Sequence, residues 1–484
     1  MEMGDGSMRN VEFNINATDE NFHRVPRSPV ELFELFFTVE MVTFIVNESN
    51  RYANQRNVQL NLTSDEFKCF VGILILSGYV PLPRKAMFWE SKSDVKFTSV
   101  SNAMRRNRFD EILKFLHLAN NDDLPANDRF AKVRPYINKI NERCQKFFKE
   151  ALMEKNLSID ESMIPYFGRH GAKQFIRGKP IRFGYKVWCM NTPLGYLINF
   201  DPYQGKMDNA VARFGVGGNV VIQLAACLPP GPFKLTFDNY FTSLALLDHL
   251  AHRGIKATGT IRENRTEKCP LKGSSKLKKE QRGSFDYRKD VNGHITLVQW
   301  HDNSVVTLAS NCDGVLPTQN VSRWSKQQKE RIQVPQPQMI AEYNKFMGGT
   351  DRMDQNISKY RMSIRSKKFY WPLFAFGVEV CIQNAWQLNR ATENTQRDLL
   401  SFRRYIAQVY LTRYRSLPLL GRPIAAVPNN LRVVDDIRFD NIGHMICPAE
   451  GRPRCANCQK RPTTKCIKCN VALCMLCFLP YHTK

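Results

Sequence analysis

The chain has 484 residues, enough for two to four domains rather than one small core. With 43% apolar and 24% charged residues it has the composition of a folded globular protein, which excludes wholesale disorder. Seventy Lys and Arg against 45 Asp and Glu give a net charge of +25, which favours a polyanionic partner, nucleic acid before membrane lipid.

Residues 1–24 read as a loose polar arm with no signal segment, and the longest apolar run, Phe70 to Leu76, is too short to span a bilayer. From 25 to 155 the pattern is helical. Thr63 followed by Glu66 forms a capping box ahead of Phe67, Phe70, Val71, Leu74 and Ile75. Further helices are expected over Ala103 to Leu118, with Arg105, Arg106 and Arg108 as solvated surface, and over Val133 to Leu152.

At Asn156 the period changes. Leu157 to Asp160 reads as a short strand ending in an acid, Phe183 to Met190 and Leu194 to Phe200 as strands joined by a tight turn. Pro232 to Asp238 is another strand ending in an acid, and Lys256 to Ile261 one more, with helices at Val220 to Ala226 and Ser243 to Ala251. This alternation predicts an α/β core over 156–261 with a partly parallel sheet. Gly215-Val-Gly-Gly218 lacks the Lys and spacing of a phosphate loop and reads as a turn. Residues 262–337 read as a mostly β insertion with a basic rim that includes Lys278 and Lys279. Helical pattern returns over Pro337 to Phe346, Trp371 to Asn389 and Asp398 to Tyr414, so 371–440 is a second helical region. It ends in a connector, Leu417 to Asn430.

Asp160 and Asp238 terminate strands, while Asp351 and Asp354 stand three apart on one helix face. Carboxylates brought together repel one another unless divalent cations offset the charge, and one or two such ions serve phosphoryl transfer.

These acids lie in motifs that resemble the piggyBac-type transposases and their domesticated derivatives. The motifs are Ser158-Ile-Asp160-Glu-Ser-Met-Ile-Pro-Tyr-Phe-Gly168, Arg177-Gly-Lys-Pro-Ile-Arg182-Phe-Gly-Tyr-Lys186, Thr236-Phe-Asp238-Asn-Tyr-Phe-Thr-Ser243, Ala257-Thr-Gly-Thr260, Phe346-Met-Gly-Gly349 with the acids after it, and Lys367-Lys-Phe-Tyr-Trp371-Pro372. The resemblance covers roughly residues 25–484. It implies an RNase-H-like core, with 338–370 as its second part, whose catalytic acids are Asp160, Asp238, Asp351 and Asp354, loaded with Mg²⁺ or Mn²⁺. It also implies helical flanks for dimerisation and DNA binding, a nuclear location, and cut-and-paste transposition of double-stranded DNA through hairpins into TTAA. A domesticated DNA- or chromatin-binding protein with little catalysis is the alternative. The N-terminal stretch before the similar region is shorter than in many members. Arg169, Lys173, Arg177, Lys179, Arg182 and Lys186 then read as a clamp on the DNA backbone, with Arg365, Lys367 and Lys368 beside them. Trp371 is either a buried helix start or a ring stacked on a base. His170 reads as a loop contact rather than a catalytic base.

Seven of the 14 cysteines fall at or after Cys447. Cys455-x₂-Cys458, Cys466-x₂-Cys469 and Cys474-x₂-Cys477, followed by His482, have the spacing of soft tetrahedral Zn²⁺ sites. Residues 441–484 are thus a small cross-brace zinc domain for two Zn²⁺, with ligand pairing open. The resemblance supplies His444 as the eighth ligand, against Cys447 as the local competitor. Arg452, Arg454, Lys460, Arg461, Lys465 and Lys468 suit this tail to DNA.

Overall fold

The computed structural model describes residues 27–483, apart from 91, 93, 96, 206–210, 292–293, 393–396, 416–432 and 434. The arm expected at 1–24 and the connector expected at 417–430 lie outside the described residues. The chain divides into two compact units, one comprising residues up to 85 and 107–415, the other 86–106 and 416–484. Among the described residues no helix is long and apolar enough to cross a membrane.

In the first unit, local capping starts the helical part. Ser28 and Glu31 close a capping box on α1 (Pro29–Phe36), and α2 (Val39–Asn54) follows. The expected Thr63–Glu66 box opens α3 (Ser64–Tyr79), with Glu66 N–H on Thr63 Oγ1 at 3.2 Å and Thr63 N–H on Glu66 Oε2 at 3.3 Å. Then come α4 (Arg106–Phe115) and α5 (Arg134–Phe147). Arg108 is not a solvated arginine: Glu66 and Glu111 each hold it at 2.7 Å.

The central sheet contains β1 (Asn156–Pro165), β2 (Gln174–Phe175), β3 (Phe183–Asn191), β4 (Leu197–Pro202), β5 (Lys234–Phe237) and β6 (Lys256–Thr260). Beyond β6 it continues into β7 (Phe285–Lys289), β8 (Thr296–His301) and β9 (Val305–Ser310). Its order is β2-β3-β1-β5-β6-β9-β8-β7, with β4 also on β3. β1 runs antiparallel to β3 and parallel to β5, and β5 runs parallel to β6. Two expectations change here. β1 does not end at Asp160 but runs on to Pro165, because β3 pairs with it past the point where β5 stops. The insertion is β-rich as expected, but β7–β9 extend the core sheet by pairing β9 with β6. Only β10 (Thr318–Ser325) and β11 (Glu330–Pro337) form a separate ribbon.

Helices cover the sheet. α6 (Gly215–Ala225) takes in the four residues read as a turn. Gly217 must be glycine there, since a Cβ would stand 2.4 Å from Tyr240 O, in the loop after β5. α7 (Leu244–His252), capped by Ser243, is followed by α8 (Gln338–Phe346) and α9 (Gly349–Lys359). α10 (Trp371–Thr392), buried along most of its length, and α11 (Leu399–Arg413), capped by Asp398, complete the unit. The two helical flanks pack on one another. Lys68 of α3 reaches Glu34 of α1 at 2.8 Å and Tyr414, after α11, at 3.2 Å, and Gly72 admits Tyr410 of α11.

α9 carries two of the acids, and its seat is built from small residues. A Cβ on Gly349 would meet Ser158 Oγ and Thr192 O, both at 2.4 Å. Thr350 Oγ1 donates to Asn191 Oδ1 at 2.9 Å, fixing the helix to the end of β3. Gly349→Ala is therefore expected to push α9 off β1 and cost about 1–3 kcal/mol by overpacking. Urea denaturation of the variant checks it; a loss below about 0.5 kcal/mol would mean that the seat yields.

In the second unit, residues 86–106 contribute a short segment in which Trp89 Nε1 donates to Met104 O at 2.7 Å. Its C-terminal part holds β12 (Ile446–Pro448), β13 (Thr464–Cys466) and β14 (Val471–Ala472) in one small sheet, then α12 (Met475–His482). Its core is Cys455, Ala456, Cys466, Cys469, Val471, Leu473, Cys477 and Tyr481.

Candidate catalytic and metal sites

Ile159 pairs in register with Phe237, so Asp160 and Asp238 are the next residues along two adjacent parallel strands. α9 brings Asp351 and Asp354 to the same strand, where Asp354 Oδ1 accepts from Ser162 Oγ at 2.6 Å. Asp160 Oδ1 accepts from Glu161 N–H and Asp238 Oδ1 from Tyr240 N–H, each at 2.8 Å. One oxygen of each of these three carboxylates is thus held by the protein, which orients the other. Asp351 is exposed. The four acids do not close into a set with all ligand atoms within 4.8 Å.

Electrostatics mark the cluster as a place for cations. Burial, then the charge of Glu161 and after it that of Asp238, push the Asp160 carboxyl up to about 8 against the hydrogen bond from Glu161 N–H. Burial also raises Asp238, and takes Asp354 up to about 6 against the hydrogen bond from Ser162. Carboxylates that bear such a penalty for charge, with one oxygen each oriented, fit a hard divalent cation. The shifts have a sign that can be tested. A carboxyl that holds its proton more tightly folded than unfolded stabilises at low pH and loses that contribution as pH rises, here from about 4 to about 8. Without divalent ions, the advantage of wild type over Asp160→Asn is expected to shrink across that range in thermal melts at a series of pH values. An advantage that grew with pH would contradict it.

Several residues at this site were not legible as part of it. Glu161, on β1 beside Asp160, pairs with Lys179 at 3.1 Å and Lys186 at 3.8 Å. Arg265 Nη1 donates to Asn239 O, Tyr240 O and Thr242 O at 3.0–3.2 Å, bracing the loop that begins at Asp238. Ser162 orients Asp354. Glu161 and Ser162 lie two residues or fewer from a motif acid, which was the available signal; nothing in the sequence tied Arg265 to the site.

The basic residues fall into two groups. Arg169, Arg177, Arg182, Lys278, Lys279, Arg365 and Lys367 are exposed. Lys173 is tied to Gly168 O at 2.9 Å, and Lys179 and Lys186 both pair with Glu161. Lys368 is turned inward: its ammonium donates to Leu116 O, and burial lowers its pKa to about 7. Trp371 is 4% exposed and its indole N–H donates to Ile364 O at 3.0 Å, so it is a buried helix start and not a ring free to stack on a base. His170 stacks on Phe369 at 4.5 Å, a packing role.

The tail gathers two four-ligand sets, each with all donor atoms within 4.8 Å. His444, Cys466, Cys469 and His482 form one, Cys455, Cys458, Cys474 and Cys477 the other, so the sets interleave along the chain. Cys447 belongs to neither. Asp440 Oδ1 lies 3.0 Å from His444 Nε2, which turns His444 Nδ1 toward both thiols at 3.5 Å. His482 Nε2 is buried without a hydrogen-bond partner. Two histidines and two thiols gathered within 4.8 Å, with a carboxylate behind His444, fit a closed tetrahedral zinc site. Lys468 is spent on Asp440 and Ile442 O rather than left for DNA.

A sequence profile of a transposase family, transposase IS4, matches residues 28–386. Human PiggyBac transposable element-derived protein 3 is 48% identical over 484 residues, covering 99% of this chain and 80% of that protein. Human PiggyBac transposable element-derived protein 2 is 46% identical, covering 94% of this chain and 76% of that protein. Among solved structures, a cryo-EM structure of the piggyBac transposase synaptic complex with hairpin DNA aligns with a TM-score of 0.70 at 22% identity. That match covers 95% of this chain and 99% of the other. The matched profile and these relatives define a transposase-type protein. The chain belongs to the piggyBac transposase family.

Proposed function

We propose that the chain is a cut-and-paste DNA transposase that cleaves element ends, forms hairpins and joins strands at TTAA by divalent-metal phosphoryl transfer. The observation that carries this reading is the register of Asp160 against Asp238 on adjacent parallel strands. The strand order β4-β3-β1-β5-β6, with two antiparallel and two parallel junctions, supports an RNase-H-like core. When bound, Mg²⁺ or Mn²⁺ would supply an activated oxygen nucleophile and charge stabilisation for the leaving oxygen. The chain's own part is to hold and orient. Asp160, Asp238 and Asp354 present one oxygen each while Glu161, Tyr240 and Ser162 fix the other. Asp351 adds an exposed carboxylate one turn from Asp354. Arg169, Arg177 and Arg182 would grip the DNA backbone beside the acids. The tail would hold two Zn²⁺ in its two ligand sets and present Arg452, Arg454, Lys460 and Arg461 to the element ends. Action on double-stranded DNA in the nucleus, as a homodimer, follows from the same reading.

A second reading, a domesticated DNA-binding protein, is favoured by one observation: the relatives at 46–48% identity are named as transposable element-derived proteins. Excision from a plasmid carrying the gene's own flanking sequences between TTAA sites separates the two. Wild type is expected to excise and Asp238→Asn to fall by at least about 100-fold, since it keeps shape but loses a ligand charge. No excision by either protein, with retained binding to those ends, would favour the second reading.

A further inference from the structure

Two lysines pair with Glu161 beside the carboxylate cluster, and one of them, Lys186, is enclosed there. Lys186, on β3, has a side chain only 13% exposed, and Glu161, which receives it at 3.8 Å, is equally enclosed. Its ammonium lies 4.1 Å from the ring centre of Trp188 and 4.5 Å from that of Tyr240, two rings stacked on each other at 5.4 Å. This aromatic floor fixes where the charge sits. Tyr240 is the residue whose N–H holds Asp238, so the floor and the acid share one loop. Lys179, in the segment before β3, completes the pair by reaching the other oxygen of Glu161 at 3.1 Å. The field of Lys186 acts on Glu161, Asp238 and Asp160, and that of Lys179 on Glu161, Asp160 and Asp351.

A buried ammonium at this point is poorly placed for holding backbone DNA from outside. It is well placed to occupy charge that a dication would otherwise neutralise. We propose that Lys186, seconded by Lys179, is a resident cation of the carboxylate site: Glu161 and the Trp188–Tyr240 floor hold its charge beside the acids, where it competes with a divalent ion. Lys186 then sets the metal affinity of the site. The inference rests on the metal-site reading above and adds to it a residue whose removal tightens metal binding. A merely structural lysine would not do that, because losing it could only loosen the site.

The test uses the full-length, zinc-loaded chain with Mn²⁺ as probe, followed by calorimetry, and with Asp238→Asn as the reference for a lost ligand. Lys186→Met and Lys186→Gln are expected to bind Mn²⁺ about tenfold more tightly than wild type, as removal of one charge several ångströms from a dication requires. Lys186→Arg, which keeps the charge, is expected to bind within about threefold of wild type. Folded Met and Gln variants that bind Mn²⁺ no more tightly than wild type would overturn the inference while leaving the metal site intact. Absence of Mn²⁺ binding in wild type and in the Lys186 variants alike would overturn the metal-site reading itself, and this inference with it.

Discussion

Stripping zinc from the C-terminal module is expected to unfold it while the first unit stays folded. The module has a core of eight residues, five of them cysteines or alanine-sized side chains, with only Val471, Leu473 and Tyr481 as sizeable apolar groups. Ordering about 40 residues costs roughly 1.5 kcal/mol each, far more than so small a core returns. Structural zinc contributes about 10–16 kcal/mol per site in comparable peptides, more than a core of this size can replace. Hydrogen exchange before and after a strong chelator reads the outcome directly. The amides of Ala456, Ile467 and Leu473, which bond to Ala472 O, Met445 O and Thr464 O, are expected to lose protection. Amides of β1 and β3 are expected to keep theirs. Native mass spectrometry should give two zinc ions per chain. Cys466→Ser should reproduce the chelator effect and Cys447→Ser should not, because Cys447 is outside both sets. Asp440→Asn, which removes the carboxylate behind His444, should weaken zinc by about 10–100-fold without unfolding the module in excess metal. A module that kept its protection in chelator would show that its core, not metal, holds it.

The sequence was legible where one local rule decides the outcome. Thr63 and Glu66 needed only each other, so the start of α3 could be read from two residues. The tail was legible because thiolate pairs at fixed spacing have one common use, although the sharing of ligands between sets is a three-dimensional fact. Periodicity put Asp160 and Asp238 on strands, but not in register, since register depends on which strands become neighbours. β1 was read as too short for the same reason: the residues after Asp160 are held by β3, some 20 residues away in sequence. Gly215 to Gly218 misled because glycine disfavours a helix on its own, yet the approach of Tyr240 to Gly217 requires it. Trp371 stayed open and Lys368 was read as a DNA contact because composition cannot tell an indole or ammonium spent on a backbone carbonyl from one left for a ligand. Glu161 and Lys186 could be seen near the first acid, but that they pair across two strands needed coordinates.

Removing the carboxylate of Glu379 is expected to cost about 3–5 kcal/mol, because it leaves a buried charge without its partner. Glu379 of α10 and Arg403 of α11 are each 1% exposed and form a two-pronged pair. Arg403 Nε is buried with no partner, so the guanidinium depends on Glu379 for what compensation it has. Glu379→Ala leaves that charge buried and unpaired, whereas replacing both partners by apolar residues removes the need for compensation. Glu379→Leu with Arg403→Met is therefore expected to be much less destabilised than Glu379→Ala, and the double-mutant cycle to show strong coupling. The consequence reaches the site. Glu379 Oε1 also accepts from Met362 N–H at 3.0 Å, and Ser77 Oγ from Ser363 N–H at 3.2 Å, so the segment leaving α9 is pinned to the helical body. Arg361, next to that anchor, is charge-coupled to both Asp354 and Glu379. Loss of Glu379 should thus loosen the end of the helix that carries Asp351 and Asp354 before it unfolds the unit. Hydrogen exchange would show this as earlier opening of residues 357–364 than of β1, and urea denaturation would give the total. The apolar pair, lacking the acceptor for Met362, should recover most of the stability but not the protection of that segment. If it recovered both, the pair would be packing alone; if Glu379→Ala cost less than about 1 kcal/mol, water would have to reach Arg403.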